Sequence, residues 1–448
     1  MSENAFNNPF PGLRPFQKNE SNLFFGRENH IKEILRKLET FRFVSIVGNS
    51  GSGKSSLVRA GLLPEIEAKT NPSWQVCIMR PGKNPVEELC TALFSQDLFG
   101  SNNPSEKSQI QSDNLSILQR STLGLVQSVR NFIPNGKNLL ILVDQFEEIF
   151  RYRNLTLTDA DQPDYANHFV ELLLNAVGQK EVPIYVIMTI RSDFLGDCEQ
   201  FTGLPEAIND GQFLIPRMNR DELQLSITGP IDLVHGKISP QLVYQLLGEV
   251  GKSPDQLPVL QHVLMRTWEV WVNEHNPSKP IDVDTYQKTG GMAKALSNHA
   301  EEAFSELETD AKKKLAEGIF KTITLKGSDN RGVRRPTSLN KIALITNSTE
   351  AEVIEIVNIF RRSDRGFLMP PENVPLNSES VIDISHESLM RVWERLSNWV
   401  EAEADSSEIY QRICESALLY DKNKAGLWRD PDLQTAVDWR IKITPNVF

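Results

Sequence analysis

Residues 41–63 read FRFVSIVGNSGSGKSSLVRAGLL, and this stretch decides the fold. The apolar run Phe41–Val47 predicts a short buried strand, and SSLVRAGLL is compatible with a helix. Between them, residues 48–55 fit the phosphate-loop pattern GxxxxGK[ST]. A Gly/Ser turn that matches by chance is the weaker interpretation, because a strand precedes the loop and a helix follows it. The sequence therefore predicts a phosphate-binding loop.

The chemistry of this loop follows from its residue types. Glycines let the backbone curl so that successive N–H groups point at a phosphate, and the following helix adds its partial positive charge. Lys54 is expected to reach the β- and γ-phosphates of a nucleotide. The residues predicted to surround the nucleotide are Gly48, Asn49, Ser50, Gly51, Ser52, Gly53, Lys54, Ser55 and Ser56.

A second stretch, NLLILVDQFEEIF at residues 138–150, places Asp144 at the end of an apolar strand. A phosphate loop needs a carboxylate to complete the ligand shell of Mg²⁺, an ion that prefers oxygen ligands. We therefore predict that Asp144 and the hydroxyl of Ser55 bind Mg²⁺. The alternative is a surface aspartate that simply follows a core strand.

The catalytic candidates lie near the ends of two strands. Many ATPases with this loop carry a glutamate directly after the metal-binding aspartate, but here that position holds Gln145. Glu147 and Glu148 are the candidate bases, with Glu148 favoured, and the alternative is that both are solvated acids at a helix start. This spacing predicts slow hydrolysis. Arg191, at the end of the strand IYVIMTI, is a candidate contact for the γ-phosphate, with a salt bridge to a nearby acid as the alternative.

The rest of the chain predicts the domain organisation. Strand and helix patterns alternate up to about residue 225, as an open parallel α/β sheet requires. Polar inserts at 100–114 and 156–166 predict surface loops, and 326–338 predicts a linker. A generic α+β module is the alternative to a winged helix near the C-terminus. The predicted parts are an N-terminal arm (1–22), an α/β P-loop NTPase core (23–225), an all-α helical lid (226–330), a winged-helix domain (331–400) and a helical tail (401–448).

The composition is typical of folded domains. Of 448 residues, 40% are hydrophobic and 24% are charged, which suits about three domains. With 48 basic and 59 acidic residues the net charge is −11, which argues against broad nucleic-acid binding. Four widely spaced cysteines indicate buried thiols in a reducing compartment. Because no leader and no long apolar run stands out, we expect a cytoplasmic protein without a membrane span.

Several motifs occur here in an order that resembles the STAND class of signal-transduction NTPases, specifically the novel STAND NTPase 1 domains often found in front of WD40 or other repeats. The resemblance covers nearly the whole chain, and it implies a nucleotide-binding α/β domain, a helical lid and a winged helix. The motifs are NPFPGLRPF, FFGRE, the phosphate loop, RPGKNP, DQFEEIF, TIRSDF, LPVLQHVL, the RR of GVRRPT, and ISHESLMRVW.

The resemblance also implies further nucleotide contacts. The segment Phe25, Gly26 and Arg27 corresponds to one that lies near the adenine in this family, with an apolar turn as the alternative. Pro258 resembles the lid proline that covers the base, although proline is common in first helical turns. His386 resembles the winged-helix histidine that touches the β-phosphate of ADP, and a core histidine satisfied by a neighbour is the alternative.

Three functions remain open at this point. The first is an ATP/ADP switch, closed with ADP and open and self-associating with ATP and Mg²⁺, that works with protein partners. The second is a DNA-handling ATPase, which the charge of residues 334–400 disfavours because eight basic and nine acidic residues occur there. The third is a scaffold with a structural nucleotide. ATP is favoured over GTP because no [NT]KxD segment follows the loop.

Overall fold

The computed structural model describes residues 8–70, 72–95, 104–130, 137–150, 164–250, 256–274, 279–326 and 332–442. By its internal contacts the described chain divides into two compact units. The first, here called the core unit, comprises residues 15–235. The second, here called the C-terminal unit, combines residues 8–14, 236–250 and 256–442. The five-part division predicted above stays a prediction.

The core unit is built on one parallel sheet. Its five strands follow the order β2-β3-β4-β1-β5, and every neighbouring pair is parallel. The prediction of an open parallel α/β sheet is confirmed. Four strands lie where the apolar runs predicted them, and the short fifth strand was not predicted. The strands are β1 (Phe43–Gly48), β2 (Ser73–Met79), β3 (Lys137–Val143), β4 (Ile184–Arg191) and β5 (Gln212–Leu214).

Helices cover both faces of this sheet. In β1, Phe43 and Val47 pack into the hydrophobic cluster on one face, and Val44 and Ile46 pack into the cluster on the other. This alternation follows from the two-residue period of a strand, and a sheet buried on both faces explains the continuous apolar runs. The described helical segments of the core unit are Lys18–Leu23, Glu28–Phe41, Lys54–Ser56, Leu57–Leu62, Leu63–Glu67, Pro85–Ser95, Pro104–Arg120, Gly124–Arg130, Tyr165–Gly178, Ser192–Phe194, Gly196–Gln200, Leu204–Gly211 and Arg220–Leu233.

Two of the predicted loops need comment. The sequence predicts a loop at 100–114, but from Pro104 onwards this insert belongs to the helix Pro104–Arg120, and residues 100–103 lie outside the described residues. Proline suits a first helical turn, and the residues after it include good helix formers, so the polar composition was misleading. The insert at 156–166 lies outside the described residues up to 163, and from Tyr165 onwards it is helical.

The C-terminal unit is mainly helical. It carries a short antiparallel pair, β6 (Thr324–Lys326) with β7 (Gly332–Arg334). Of the linker expected at 326–338, both ends and residues 332–334 lie in paired strands, and residues 327–331 lie outside the described residues. A three-stranded sheet follows the order β8-β10-β9, from β8 (Thr337–Ser338), β9 (Leu368–Met369) and β10 (Val381–Ile384). Its described helices are Pro240–Glu249, Gln256–Asn273, Val283–Lys288, Gly291–Ser305, Asp310–Thr322, Leu339–Ile345, Glu350–Arg361, Ser388–Val392, Glu394–Asp421 and Asp432–Lys442.

From Asp310 to Ile384 the described elements run helix, the pair β6 and β7, strand β8, two helices, and strands β9 and β10. Without the separate β6–β7 pair, this is the order that a winged helix would have, and the assignment stays a prediction. Residues 8–14 pack with this unit, because Leu13 is buried in its main hydrophobic cluster and the Asn8 side chain donates to the Met265 carbonyl at 3.0 Å. None of the described helices is both long and apolar enough to cross a membrane.

Candidate nucleotide-binding site

The predicted phosphate loop joins β1 to a helical segment. Residues 54–67, here called the P-loop helix, begin with Lys54–Ser56, continue through the π-helical turns of Leu57–Leu62 and end with Leu63–Glu67. In the loop, Gly51 and Gly53 have φ values of 73° and 88°, a region that favours glycine. A Cβ at Gly53 would meet no heavy atom within 4 Å. The loop therefore has the curled backbone and the open space that a phosphate group requires.

Lys54 is held inside this loop. It is 9% exposed, and its ammonium donates to the carbonyls of Gly48 at 2.7 Å and Asn49 at 2.9 Å. A buried ammonium needs such partners, because an unpaired buried charge is costly. These two bonds keep the positive charge at the mouth of the loop, where phosphate oxygens are better acceptors than carbonyls.

The two predicted metal ligands lie together. The Ser55 hydroxyl donates to Oδ1 of Asp144 at 3.0 Å, and the Thr189 hydroxyl of β4 donates to the same oxygen at 2.8 Å. Oδ2 of Asp144 accepts from the Arg59 guanidinium at 2.9 Å. One hydroxyl and one carboxylate beside a phosphate loop are the hard oxygen donors that Mg²⁺ prefers, so the residues present fit this ion.

The charge of Asp144 is stabilised by its neighbours. The carboxylate is 1% exposed, and burial alone would raise its pKa. The charges of Arg59 and Arg80, and the hydrogen bonds from Thr189 and Arg59, more than offset this effect and hold the pKa of Asp144 below its usual value. Asp144 is therefore ionised at neutral pH.

The residues after Asp144 turn sharply back toward β4. Gln145 has a φ of 60°, its N–H donates to the Thr189 hydroxyl at 2.8 Å, and its buried Oε1 has no hydrogen-bond partner among the described residues. Glu147 is 4% exposed and accepts the Arg191 N–H at 3.3 Å. Burial raises the pKa of Glu147, although the charges of Lys54 and Arg191 oppose the rise. Glu148 is only half-buried.

The guanidinium of Arg191 is engaged with an acid. It donates to both carboxylate oxygens of Asp193, at 3.1 and 2.6 Å, and it lies over the Phe194 ring. The salt bridge offered above as the alternative is therefore present. Asp193 is 50% exposed, and ion pairs of such exposure contribute about 0–1 kcal/mol, so phosphate could replace this partner at small cost. Beside it, the Ser192 hydroxyl donates to the Asn49 side chain at 2.5 Å.

The segment Phe25–Arg27 packs between the phosphate loop and the helix Arg220–Leu233. Gly26 has a φ of 84°, and the Phe25 ring fills the space that a Cβ at Gly229 would occupy. The buried guanidinium of Arg27 donates to the Pro216 carbonyl at 2.9 Å and to the Ser52 carbonyl of the loop at 3.4 Å. Burial lowers the pKa of Arg27, while Glu222 opposes that shift. The sequence prediction that this segment adjoins the nucleotide site is compatible with these contacts.

Replacing Gly26 by alanine is expected to lower the free energy of unfolding of the core unit by about 1–3 kcal/mol. A Cβ there would lie 2.3 Å from the Glu222 carbonyl oxygen, in addition to the strain of its positive φ. Urea unfolding measures the loss. Gly178→Ala is the matched control, because a Cβ at that position meets no heavy atom within 4 Å. Equal stability of both variants would contradict the packing described here.

Pro258 and His386 belong to the C-terminal unit. Pro258 lies in the first turn of the helix Gln256–Asn273. Nδ1 of His386 accepts the Ser388 N–H at 3.1 Å and lies 2.9 Å from the Ser388 hydroxyl. Pro258 suits the structural alternative given above, whereas His386 has the neighbouring partner of its alternative but is half-buried rather than in the core. Contact with a nucleotide stays a prediction for each.

Three side chains of the site were not anticipated from the sequence: Arg59, Thr189 and Gln17. Arg59 and Thr189 could have been noticed as polar residues inside otherwise apolar runs of a helix and a strand. Gln17 lies in the arm, where no periodicity marks a partner.

A parallel α/β sheet whose first strand leads through a glycine loop into a helix, with a lysine in the loop and a serine–aspartate pair beside it, defines a P-loop NTPase. Residues 9–426 match the family model for Novel STAND NTPase 1, and the chain belongs to this family. The resemblance inferred from the motifs is thereby confirmed. Comparison with curated protein sequences gives no match.

The chain is similar to several solved structures at low sequence identity. The Walker-type ATPase paby2304 of Pyrococcus abyssi is 13% identical, with a TM-score of 0.40, and the match covers 85% of this chain and 98% of that chain. The ORC2 protein of Aeropyrum pernix is 10% identical, with a TM-score of 0.42, covering 90% and 97%. The ORC1 protein of the same organism, solved in complex with DNA, is 12% identical, with a TM-score of 0.43, covering 87% and 94%.

Proposed function

We propose that this protein is a STAND-type signalling switch that binds ATP and ADP with Mg²⁺ and hydrolyses ATP slowly. The observation that carries this proposal is the meeting of Lys54, Ser55 and Asp144 at the glycine loop of the core unit. Family membership supports the signalling role, because the resemblance implies a nucleotide-controlled switch. A cytoplasmic location stays a prediction from the sequence.

The roles of the loop residues follow from their chemistry. The N–H groups of the loop bind phosphate oxygens, and the Lys54 ammonium moves from the Gly48 and Asn49 carbonyls to the β- and γ-phosphates. Ser55 and Asp144 would hold Mg²⁺. When bound, this ion neutralises charge on the phosphates.

We infer that Glu147, rather than Glu148, is the general base. Its burial supports this assignment, and so does its position within electrostatic reach of Lys54, Arg191 and Asp144. A raised pKa makes its carboxylate a better proton acceptor for the attacking water. Gln145 occupies the place next to Asp144 where many ATPases have this acid, which supports slow turnover.

Arg191 is proposed to contact the γ-phosphate after exchanging its exposed partner Asp193. If Arg191 exchanges Asp193 for phosphate, the position of the carboxyl end of β4 would depend on the bound nucleotide. In the proposed closed state Pro258 and His386 bind ADP, as the resemblance implies. A few kcal/mol of preference for one nucleotide between two conformations is enough to invert their populations.

The exposed charges argue for the switch over a DNA-handling ATPase. In a winged helix, the helix Glu350–Arg361 would be the one presented to a DNA groove. Glu352 and Glu355 are exposed on it and Glu350 is half-exposed, so its surface is acidic. Binding to duplex DNA that weakens steeply as salt is raised would favour the alternative.

The proposal is tested by identifying the nucleotide in the purified protein and comparing the mass of the assembly in ADP and in a non-hydrolysable ATP analogue with Mg²⁺. We expect bound adenine nucleotide and a larger assembly with the analogue. Monomers of unchanged mass without bound nucleotide would contradict the switch. An assembly unaffected by nucleotide, in a chain that unfolds when nucleotide is removed, would indicate the scaffold.

Lys54→Ala is expected to weaken ATP binding by about 10- to 100-fold, because it removes charge-assisted hydrogen bonds to phosphate. Titration with a fluorescent ATP analogue measures the change. Lys32→Ala is the control, since Lys32 is exposed on the helix Glu28–Phe41. If both variants bind the ATP analogue with equal affinity, Lys54 does not contact the nucleotide.

A further inference from the structure

Arg59 bridges the metal-binding aspartate and the segment that precedes the core. One end nitrogen of its guanidinium, Nη2, donates to Oδ2 of Asp144 at 2.9 Å, and the other, Nη1, donates to the Gln17 side chain at 3.3 Å. Arg59 lies within the π-helical segment Leu57–Leu62. Such turns are rare and are often found at functional sites.

The guanidinium of Arg59 is less well satisfied by hydrogen bonds than the carboxylate of Asp144. The arginine side chain is 21% exposed, whereas Asp144 is 1% exposed. The buried Nε of Arg59 has no hydrogen-bond partner among the described residues. Asp144 is better satisfied, because Ser55 and Thr189 bind its other oxygen. Withdrawal of Arg59 would thus cost the carboxylate its main counter-ion, which a second cation at the same oxygens could replace.

The segment of residues 15–23, here called the strap, lies along the P-loop helix. The Phe16 side chain is buried, its N–H donates to the Ser56 hydroxyl at 3.2 Å, and its ring packs edge-on against Phe24. Lys18 forms an ion pair with Glu67. Gln17 is the strap residue that contacts the guanidinium of Arg59.

We propose that Arg59 is a resident counter-ion that competes with Mg²⁺ for Asp144 and, through Gln17, couples metal loading to the strap. In the resting protein the guanidinium neutralises the carboxylate. When the metal–nucleotide complex is bound, the guanidinium leaves Asp144, its bond to Gln17 is lost, and the strap is held less firmly. This inference rests on the proposed function, since it requires that Ser55 and Asp144 bind Mg²⁺.

Competition of this kind has a definite sign. Removing the positive charge of Arg59 should raise the apparent affinity for Mg²⁺ in the presence of nucleotide by about tenfold, equivalent to about 1.4 kcal/mol. A guanidinium that instead bound phosphate would have the opposite effect, because its removal would weaken nucleotide binding with or without metal.

The test uses the full chain and a fluorescent ATP analogue, titrated with Mg²⁺ and separately in EDTA. We expect Arg59→Met to bind Mg²⁺ about tenfold more tightly than the wild type, and Arg59→Lys to stay closer to the wild type. Arg36→Met is the control, since Arg36 is exposed. Gln17→Ala keeps the Arg59–Asp144 pair but removes one hydrogen bond that holds the guanidinium, so it should raise the affinity for Mg²⁺ about two- to threefold. This variant still tests the inference if Arg59→Met fails to fold.

Hydrogen exchange of the strap amides tests the coupling. We expect exchange to become faster when Mg²⁺ and the analogue are added to the wild type, and to be fast already in Gln17→Ala without them. If the variants bind Mg²⁺ no more tightly than the wild type, or if strap exchange is unchanged on loading, the inference is wrong. A wild type that binds no nucleotide at all would instead refute the proposed function.

Discussion

Glu147→Gln is expected to slow ATP hydrolysis by about 100-fold or more, because a general base typically contributes a factor of 10² to 10⁴. The glutamine retains the size of the side chain but cannot take a proton from water. The same change should raise the free energy of unfolding at neutral pH. Burial raises the pKa of Glu147, so its charged form costs stability at any pH above that raised pKa, and glutamine removes the cost.

The measurement is phosphate release under single turnover, together with urea unfolding at several pH values. Glu148→Gln is the matched control, because Glu148 is the adjacent, half-buried acid. We expect its hydrolysis rate to stay near that of the wild type. The reverse order of the two variants would restore Glu148 as the base, and equal loss in both would mean that neither acid acts alone.

Asp144→Ala is expected to lower the free energy of unfolding by about 3–5 kcal/mol, the range for breaking a buried ion pair by removing one partner. Alanine would leave Arg59, Ser55 and Thr189 without the carboxylate that now accepts from all three. Urea unfolding without nucleotide measures the loss. Asp193→Ala is the control, since its pair with Arg191 is exposed and is expected to contribute at most about 1 kcal/mol.

A double variant and a pH series sharpen this prediction. Asp144→Ala combined with Arg59→Met should be more stable than Asp144→Ala alone, because the unpaired guanidinium is gone. The pKa of Asp144 is lowered in the folded protein, so its contribution is present above the unfolded value of about 3.9 and is lost as the pH falls through the folded pKa. If the free energy of unfolding of Asp144→Ala falls at low pH as much as that of the wild type, the pairing is contradicted.

The nucleotide loop and the sheet could be predicted because their signals are local. A glycine loop between an apolar strand and a helix contains its own geometry, and Asp144 is marked by its place at a strand end. Four of the strands are largely apolar because both faces of the sheet are buried.

Two partners of Asp144, Arg59 and Thr189, could not be predicted because they depend on tertiary contacts. Thr189 reaches it from the neighbouring strand and Arg59 from the P-loop helix, and only the folded sheet brings them together. The strand β5 could not be predicted because its three residues are too few to show a strand pattern. The helix that starts at Pro104 could not be predicted because its polar composition, typical of a loop, is a stronger signal than its helix propensity.

The path of the first residues has a consequence for biosynthesis. Leu13 is buried with residues such as Leu296, and Asn8 binds the Met265 carbonyl, so residues 8–14 pack on partners that lie more than 250 residues later. Domains generally fold in the order in which the ribosome releases them. Residues 8–14 therefore cannot dock until these later partners have left the ribosome, which happens only after the whole sheet has been translated.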